Sequence, residues 1–355
     1  MGSRKKLVLG KTVFALLLMI TVTGSALAQT TYRVVDLGVL RGGSARVHAI
    51  SANGNAVGGS GFVYGTGRHA FFWGQQHGIQ DIGTLPGGDF SEAFAINNAG
   101  QVAGTSNTAS SMRAFLWTSA TGLQDLGTLP RANASQAYAI NEAGQVVGAS
   151  GTDAVLWTNG LIQDIGGLPG SDWSEAHGIN NAGQVVGFSN TTDGQRAFLW
   201  SGNTIQDLGT LPGDSASRAN LINDHGVVIG ASEGRNGVRA FAWTATVGMQ
   251  TIPTLPGGSY SEAFGVNNAG QVVGASGSSF GTRAFMWSPS TGVIDLNDVV
   301  KGPANLVLTG AFAINDNGYI VAFGIQEPNL GAHQEARGDV HIHHAGTRVY
   351  MLIPR

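Results

Sequence analysis

Residues 171–187 read SDWSEAHGINNAGQVVG, and nearly the same string stands at 88–104, GDFSEAFAINNAGQVAG, and at 258–274, GSYSEAFGVNNAGQVVG. A string rewritten at a fixed interval marks a repeat architecture before any local element is assigned. The Ile of the Ala-Ile-Asn element recurs at Ile50, Ile96, Ile140, Ile179, Ile222, Val266 and Ile314, at intervals of 46, 44, 39, 43, 44 and 48 residues. A second landmark, Ala-Phe-Leu-Trp and its variants, puts Trp73, Trp117, Trp157, Trp200, Trp243 and Trp287 in register, with Leu352 at that place in the last unit. The chain therefore contains seven units.

Each unit reads as four short strands. In the second they are 92–97, 101–106, 113–118 and 123–127, with the alternation and the β-branched or aromatic content of strands. Asn97-Asn98-Ala99-Gly100 separates the first two; Asn bonds its own backbone in a turn and Gly takes the positive φ of a tight hairpin. Asn141, Asn180, Asn223, Asn267 and Asn315 are turn formers on the same ground, and no helix-length periodic stretch occurs. Four antiparallel strands in about 44 residues match a propeller blade, of which four to eight close around a channel. The alternative is a β-solenoid, whose coils need about half that length.

The ends of the chain decide between these folds. The last unit supplies three strands, 310–315, 319–324 and 348–354, while Tyr32 to Gly38 carries the Asp-Leu-Gly signature of a fourth strand, as at Asp125-Leu126-Gly127. The two parts complete one blade only in a closed ring, which removes the exposed sheet edge. The expectation is an all-β, seven-bladed β-propeller in one domain, 29–355. Residues 31–38 form the closing strand, 44–298 hold blades one to six and 308–354 form the last blade. In the inner strand, Ala93, Ala137, Ala176, Ala219, Ala263 and Ala311 form a small column. Phe94, Tyr138, Phe264 and Phe312 alternate with it and are expected to pack into the space that the neighbour's Ala column leaves. The six in-register Trp residues are read as core between blades.

The first 28 residues are set aside. Arg4, Lys5, Lys6 and Lys11 precede the apolar run from Val13 to Val22, and Ala26-Leu27-Ala28 supplies a cleavage site, the pattern of a secretory signal peptide. The run is shorter than the roughly 20 apolar residues that span a bilayer. The expectation is a secreted bacterial protein, in the periplasm, at the cell surface or outside the cell. Of 19 basic residues against 22 acidic ones, four stand in this leader, which leaves a net charge of about −7 and Lys301 as the remaining lysine. That balance argues against a nucleic-acid partner. Cysteine is absent, so no disulfide, thiol nucleophile or Cys-ligated metal enters, and no phosphate loop, dinucleotide fingerprint or nucleophile elbow occurs. No cofactor is implied.

Arg68-His69-Ala70-Phe71-Phe72-Trp73, then Asp-Ile-Gly-Thr-Leu and Ala-Ile-Asn-Asn-Ala-Gly-Gln-Val, resembles the HAF family of bacterial extracellular repeats over essentially the whole chain after the leader. The family's His-Ala-Phe stands literally at His69 to Phe71; Arg takes the His place at Arg113, Arg196, Arg239 and Arg283. The resemblance implies export and a repetitive β-fold, and brings no activity and no catalytic residues.

Function must come from sites. The position four before the Ile column holds Arg46, Glu92, Gln136, Glu175, Arg218, Glu262 and Gly310. Two positions earlier stand Ser44, Phe90, Ala134, Trp173, Ala216, Tyr260 and Leu308, so the even units carry aromatic-Ser-Glu. One reading is a binding face of three aromatics, Phe90, Trp173 and Tyr260, and three carboxylates, Glu92, Glu175 and Glu262, that stacks sugar rings or engages a partner protein. The other is architectural: Glu92 pairs with Arg46, Arg218 with Glu175 and Glu262, and the aromatics cap the core. Three functions follow: a non-catalytic module binding a glycan or protein, a carbohydrate-active hydrolase using the Glu ring, or a structural or surface-display element. His341, His343 and His344 form a His-x-His-His run of metal-ligand type, and Arg337-Gly338-Asp339 spells an adhesion tripeptide. Both are read as parts of an exposed polar insertion, and no metal site is assigned.

Overall fold

The computed structural model describes residues 30–38, 45–61, 67–235, 237–303, 305–326 and 347–355. The leader at 1–28, Ser44, and the segment containing Arg337, Asp339, His341, His343 and His344 lie outside the described residues. The chain is a seven-bladed β-propeller. Six blades are antiparallel sheets of four consecutive strands, beginning at Ala45, Ser91, Ser135, Trp173, Asp214 and Ser261. In the second, the strands are Ser91–Ile96, Val102–Asn107, Met112–Thr118 and Gly122–Asp125, within two residues of the sequence reading. No helix among the described residues is long and apolar enough to cross a membrane.

The seventh blade is sewn from both ends of the chain. Leu306–Ile314, Ile320–Gln326 and Thr347–Pro354 come from the C-terminal part, and Tyr32–Asp36 pairs antiparallel with the last of these, Tyr32 opposite Pro354 and Asp36 opposite Tyr350. The closing strand is thus as the sequence implied. A fifth, two-residue strand, Val300–Lys301, adds parallel to Tyr32–Asp36 on its outer edge after one turn of helix at Leu296–Val299. It shields the edge that a terminal strand would otherwise expose.

Two side-chain devices recur because every blade meets the same neighbours. The fourth strand ends in an Asp whose carboxylate accepts the amide of the Gly two residues on, as Asp125 does from Gly127 at 2.8 Å and Asp207 from Gly209 at 2.7 Å. This Asx turn explains the Asp-Leu-Gly signature. The Ser opening the inner strand accepts the amide of the preceding blade's third strand and donates to that turn's Gly carbonyl: Ser135 takes Ala114 N at 3.0 Å and gives to Gly127 O at 2.7 Å. The Ser of the aromatic-Ser-Glu motif is a staple between blades.

The hairpin asparagines do more than turn the chain. Asn180 Oδ1 accepts the amides of Ala182 and Gln184, and its Nδ2 donates to Gln184 Oε1 and, across the blade boundary, to Asn223 O at 3.1 Å. Asn97, Asn141, Asn223 and Asn267 donate likewise to the next blade, and Asn315 closes the circle on Ser51 O at 2.9 Å. Among the described residues the apolar core falls into seven clusters, each straddling two neighbouring blades. Trp157, Trp200 and Trp243 are buried in such clusters, as the shared register implied.

Each inner strand carries a bulge after Val47, Ala93, Ala137, Ala176, Ala219, Ala263 or Ala311, and blades five and seven carry a second one earlier in the strand. At the bulge the second strand approaches so closely that a Cβ on Gly187 would lie 1.8 Å from Glu175 O. Only glycine fits there, hence the closing Gly of the repeated INNAGQVVG.

Two outcomes test this architecture. Asn180→Ala removes four buried side-chain hydrogen bonds and lowers stability by about 2 kcal/mol or more, read as a fall in the urea midpoint. Deleting residues 31–37 leaves the last blade without its closing strand, and the single sharp unfolding transition broadens or splits; a shorter chain that unfolds as sharply as the intact one contradicts the closed ring.

Candidate functional site

The alternation of the inner strand sets three rungs along the axis. In blade four Ser174 and Ala176 are buried, while Trp173, Glu175 and His177 lie on the other side with partial exposure. Because the bulge falls at His177 and at its counterparts, that side turns toward the axis. Equivalent residues of successive blades then meet: His48 and Phe94 at 5.0 Å between ring centroids, Phe94 and Tyr138 at 5.7 Å, Tyr138 and His177 at 4.7 Å, Phe264 and Phe312 at 4.7 Å. In blade five the place belongs to Asn220, which donates to Ala263 O at 2.8 Å. Phe94, Tyr138, Phe264 and Phe312 therefore form an axial aromatic belt with each other and with two histidines. Phe312 also packs against the cluster that holds Val47, the first blade's member of the small column.

One step toward the inter-blade loops lies the charged rung. Glu92, 5% exposed, binds His48 Nε2 at 2.7 Å and Arg68 Nη1 at 3.0 Å. Burial raises its pKa, but the hydrogen bonds and charges of His48 and Arg68 outweigh that, so the net shift is downward from the usual 4.5. Glu175 binds His177 Nε2 at 2.9 Å, and Glu262 binds Arg218. Tyr138 donates to Gln136 Oε1 at 2.9 Å, and its hydroxyl is pushed up by burial and by the Glu175 charge. The architectural reading anticipated Arg218 with Glu262. Sequence reasoning missed His48, His177 and Arg68, which serve Glu175 and Glu92; the two histidines belong to the same column as Phe94 and are visible there.

The outer rung divides. Trp173 is 45% exposed at the head of its strand, paired in register with Asn190. Phe90 and Tyr260 are half-buried: Phe90 N donates to Asn107 Oδ1 at 2.8 Å, and Tyr260 bonds Thr282 and lies over Gly277. The structure places all six candidate residues on this loop side of the inner strands and leaves Trp173 the most open of the three aromatics.

The opposite mouth is also built, and sequence reasoning did not single it out. A recess of ≈190 Å³ is lined by the Ile-Asn turns of all seven blades. The residue after each hairpin asparagine alternates amide and carboxylate, Asn98, Glu142, Asn181, Asp224, Asn268, Asp316, with Ala52 in blade one. The carboxylates accept from their neighbours: Glu142 from Asn98 Nδ2 at 2.8 Å, Asp224 from Asn181 Nδ2 at 3.0 Å and Asn268 Nδ2 at 3.1 Å, Asp316 from Asn268 Nδ2 at 2.9 Å. Burial raises the Asp224 pKa and these bonds more than reverse it, for a net lowering. Here the acids stand in odd blades; on the loop side they stand in even ones. Among the described residues no group of three or more His, Asp or Glu has a metal-binding arrangement.

No sequence-family model and no curated protein sequence matches the chain. Solved structures resemble it in fold. Virginiamycin B lyase from Staphylococcus aureus, in a catalytically inactive form with quinupristin, aligns with a TM-score of 0.53 at 10% identity, over 91% of this chain and 99% of that one. Its selenomethionine form gives 0.54 at 12% identity, over 92% and 99%. The extracellular domain of a one-component system protein from B. thetaiotaomicron gives 0.51 at 10% identity, over 82% of this chain and 38% of that one. At such identities the likeness is one of fold, and the fold hosts many functions.

The charged rung makes a pH-dependent prediction. Since the folded pKa of Glu92 lies below its unfolded value, its contribution is present above about 4.5 and is lost as pH falls through the folded value. Glu92→Gln lowers stability by about 1–3 kcal/mol at pH 7, and the gap to the parent closes on acidification below that range in chemical denaturation. A gap that stays constant or widens toward low pH contradicts the ion-pair assignment.

Proposed function

We propose that this protein is an exported propeller that binds a glycan at the loop-side mouth of its axis without transforming it. The observation that carries the reading is Trp173, exposed at the head of a stripe that continues through Glu175 and His177 to the aromatic belt. An open indole offers a sugar ring an apolar face, and carboxylates already held by His48, Arg68, His177 and Arg218 keep lone pairs for hydroxyl groups. The leader at 1–28 and the resemblance to the HAF repeats support export. Hydrolysis of a glycoside asks for a carboxyl kept protonated near neutrality. Glu92 is shifted the other way, so binding is the better reading of the Glu ring.

A glycan array followed by calorimetry tests the proposal. The parent binds at least one glycan class, Trp173→Ala weakens that binding roughly tenfold, as the loss of one stacking contact of about 1–1.5 kcal/mol implies, and Trp173→Phe restores most of it. Binding to no glycan, or binding indifferent to both Trp173→Ala and Glu175→Gln, overturns the glycan assignment and turns the search to a protein partner. Turnover of a bound polysaccharide that Glu92→Gln abolishes would restore the hydrolase.

A further inference from the structure

The third strand of four blades carries an arginine just before its Ala-Phe, at Arg113, Arg196, Arg239 and Arg283, and in blade one His69 takes that place with Arg68 before it. Arg68 pairs with Glu92 and Arg239 with Asp214, at 3.0 and 2.7 Å. Arg113 Nε donates to Ser111 Oγ at 3.1 Å, and Arg196 Nη1 to Ser215 O at 2.6 Å. Arg283 in blade six differs in making no hydrogen bond or ion pair among the described residues, and its Nε, like that of Arg239, is buried without a partner. The reason is legible in the columns. Asp214, which pairs with Arg239, stands eight before its blade's Ile, where blade six has Gly258. The acid that serves the equivalent arginine of blade five is glycine here.

Arg283 instead lies against the ring of Phe280, its Cζ 5.6 Å from the centroid, and Phe280 is 78% exposed. The two line a cavity of ≈290 Å³ on the rim of blade six, with Leu255 at its apolar wall and Asp295 and Asp298 beside it. Asp295 Oδ1 is taken by the amide and side chain of Asn297, while Asp298 has no partner among the described residues. One cavity thus holds a guanidinium and a carboxylate that bond neither each other nor anything else described. A simple anion would satisfy Arg283 and meet two carboxylates; a simple cation would leave the dehydrated Nε orphaned. A ligand with both charges satisfies both sides.

We propose that this rim cavity binds a free α-amino acid with an apolar side chain. Its carboxylate takes Arg283, its ammonium takes Asp298 and the open oxygen of Asp295, and its side chain packs on Phe280 and Leu255. The site is separate from the axial mouth and does not depend on the glycan reading.

Calorimetry on the full chain with L-leucine and L-phenylalanine tests it, with N-acetyl-L-leucine and L-leucinamide as the arms lacking one charge each. At least one of the two amino acids binds, each one-charge analogue binds at least tenfold more weakly than leucine, and Arg283→Gln and Asp298→Asn each weaken binding at least tenfold with an unchanged far-ultraviolet spectrum. Asp298 is exposed, so its variant folds whatever Arg283→Gln does. Binding of neither amino acid, analogues that match leucine, or an Asp298→Asn variant that binds like the parent overturns the site.

Discussion

The hydrogen bond from each hairpin asparagine to the backbone of the next blade is the contact on which the rest of the ring depends. A blade of four strands buries little between its own residues; its apolar side chains find cover only against the next blade, as the clusters that straddle blade boundaries show. Such packing is non-directional and would tolerate sliding. The donation of Asn180 to Asn223 O, repeated around the axis and closed by Asn315 on Ser51, fixes where one blade stops against another. Closure by Tyr32–Asp36 then makes the seventh boundary equivalent to the rest.

With the ring fixed on the turn side, the loop side is free to vary. The turn strings scarcely change between copies, since each must rebuild one hairpin against one neighbour. At the other end of the inner strand, residues at the outer and charged rungs alternate between odd and even blades. The same double period marks the carboxylates of the turn mouth in opposite phase. Hydrogen-bonded acids at both mouths give the axis a polar lining.

How much of this could be read from the sequence follows from how local each interaction is. The period, the strand pattern and the shared Trp register are short-range signals, and they carried the blade count and the closing strand. The axial belt could not be read, because a bulge is a one-residue slip that leaves the alternation of Phe94 with Ala93 and Ala95 untouched in sequence while turning the ring toward the axis. The His48 and Arg68 partners of Glu92 were missed for a related reason: His48 lies one blade before it and Arg68 comes from that blade's third strand, so register in three dimensions brings them together. The isolation of Arg283 was readable in principle, since the glycine at 258 is plain once the columns are aligned.

The central claim is that seven blades close into one ring with equal boundaries. Native-state amide exchange measures it blade by blade. A closed ring predicts that the amide of Asn97, bonded to Gln101 O near the start of the ring, and that of Asn315, bonded to Tyr319 O in the last blade, are protected to the same degree as the amide of Asn180, bonded to Gln184 O midway. Protection that falls progressively from Asn180 toward Asn97 and Asn315 would describe an open stack fraying from its ends, and would contradict it.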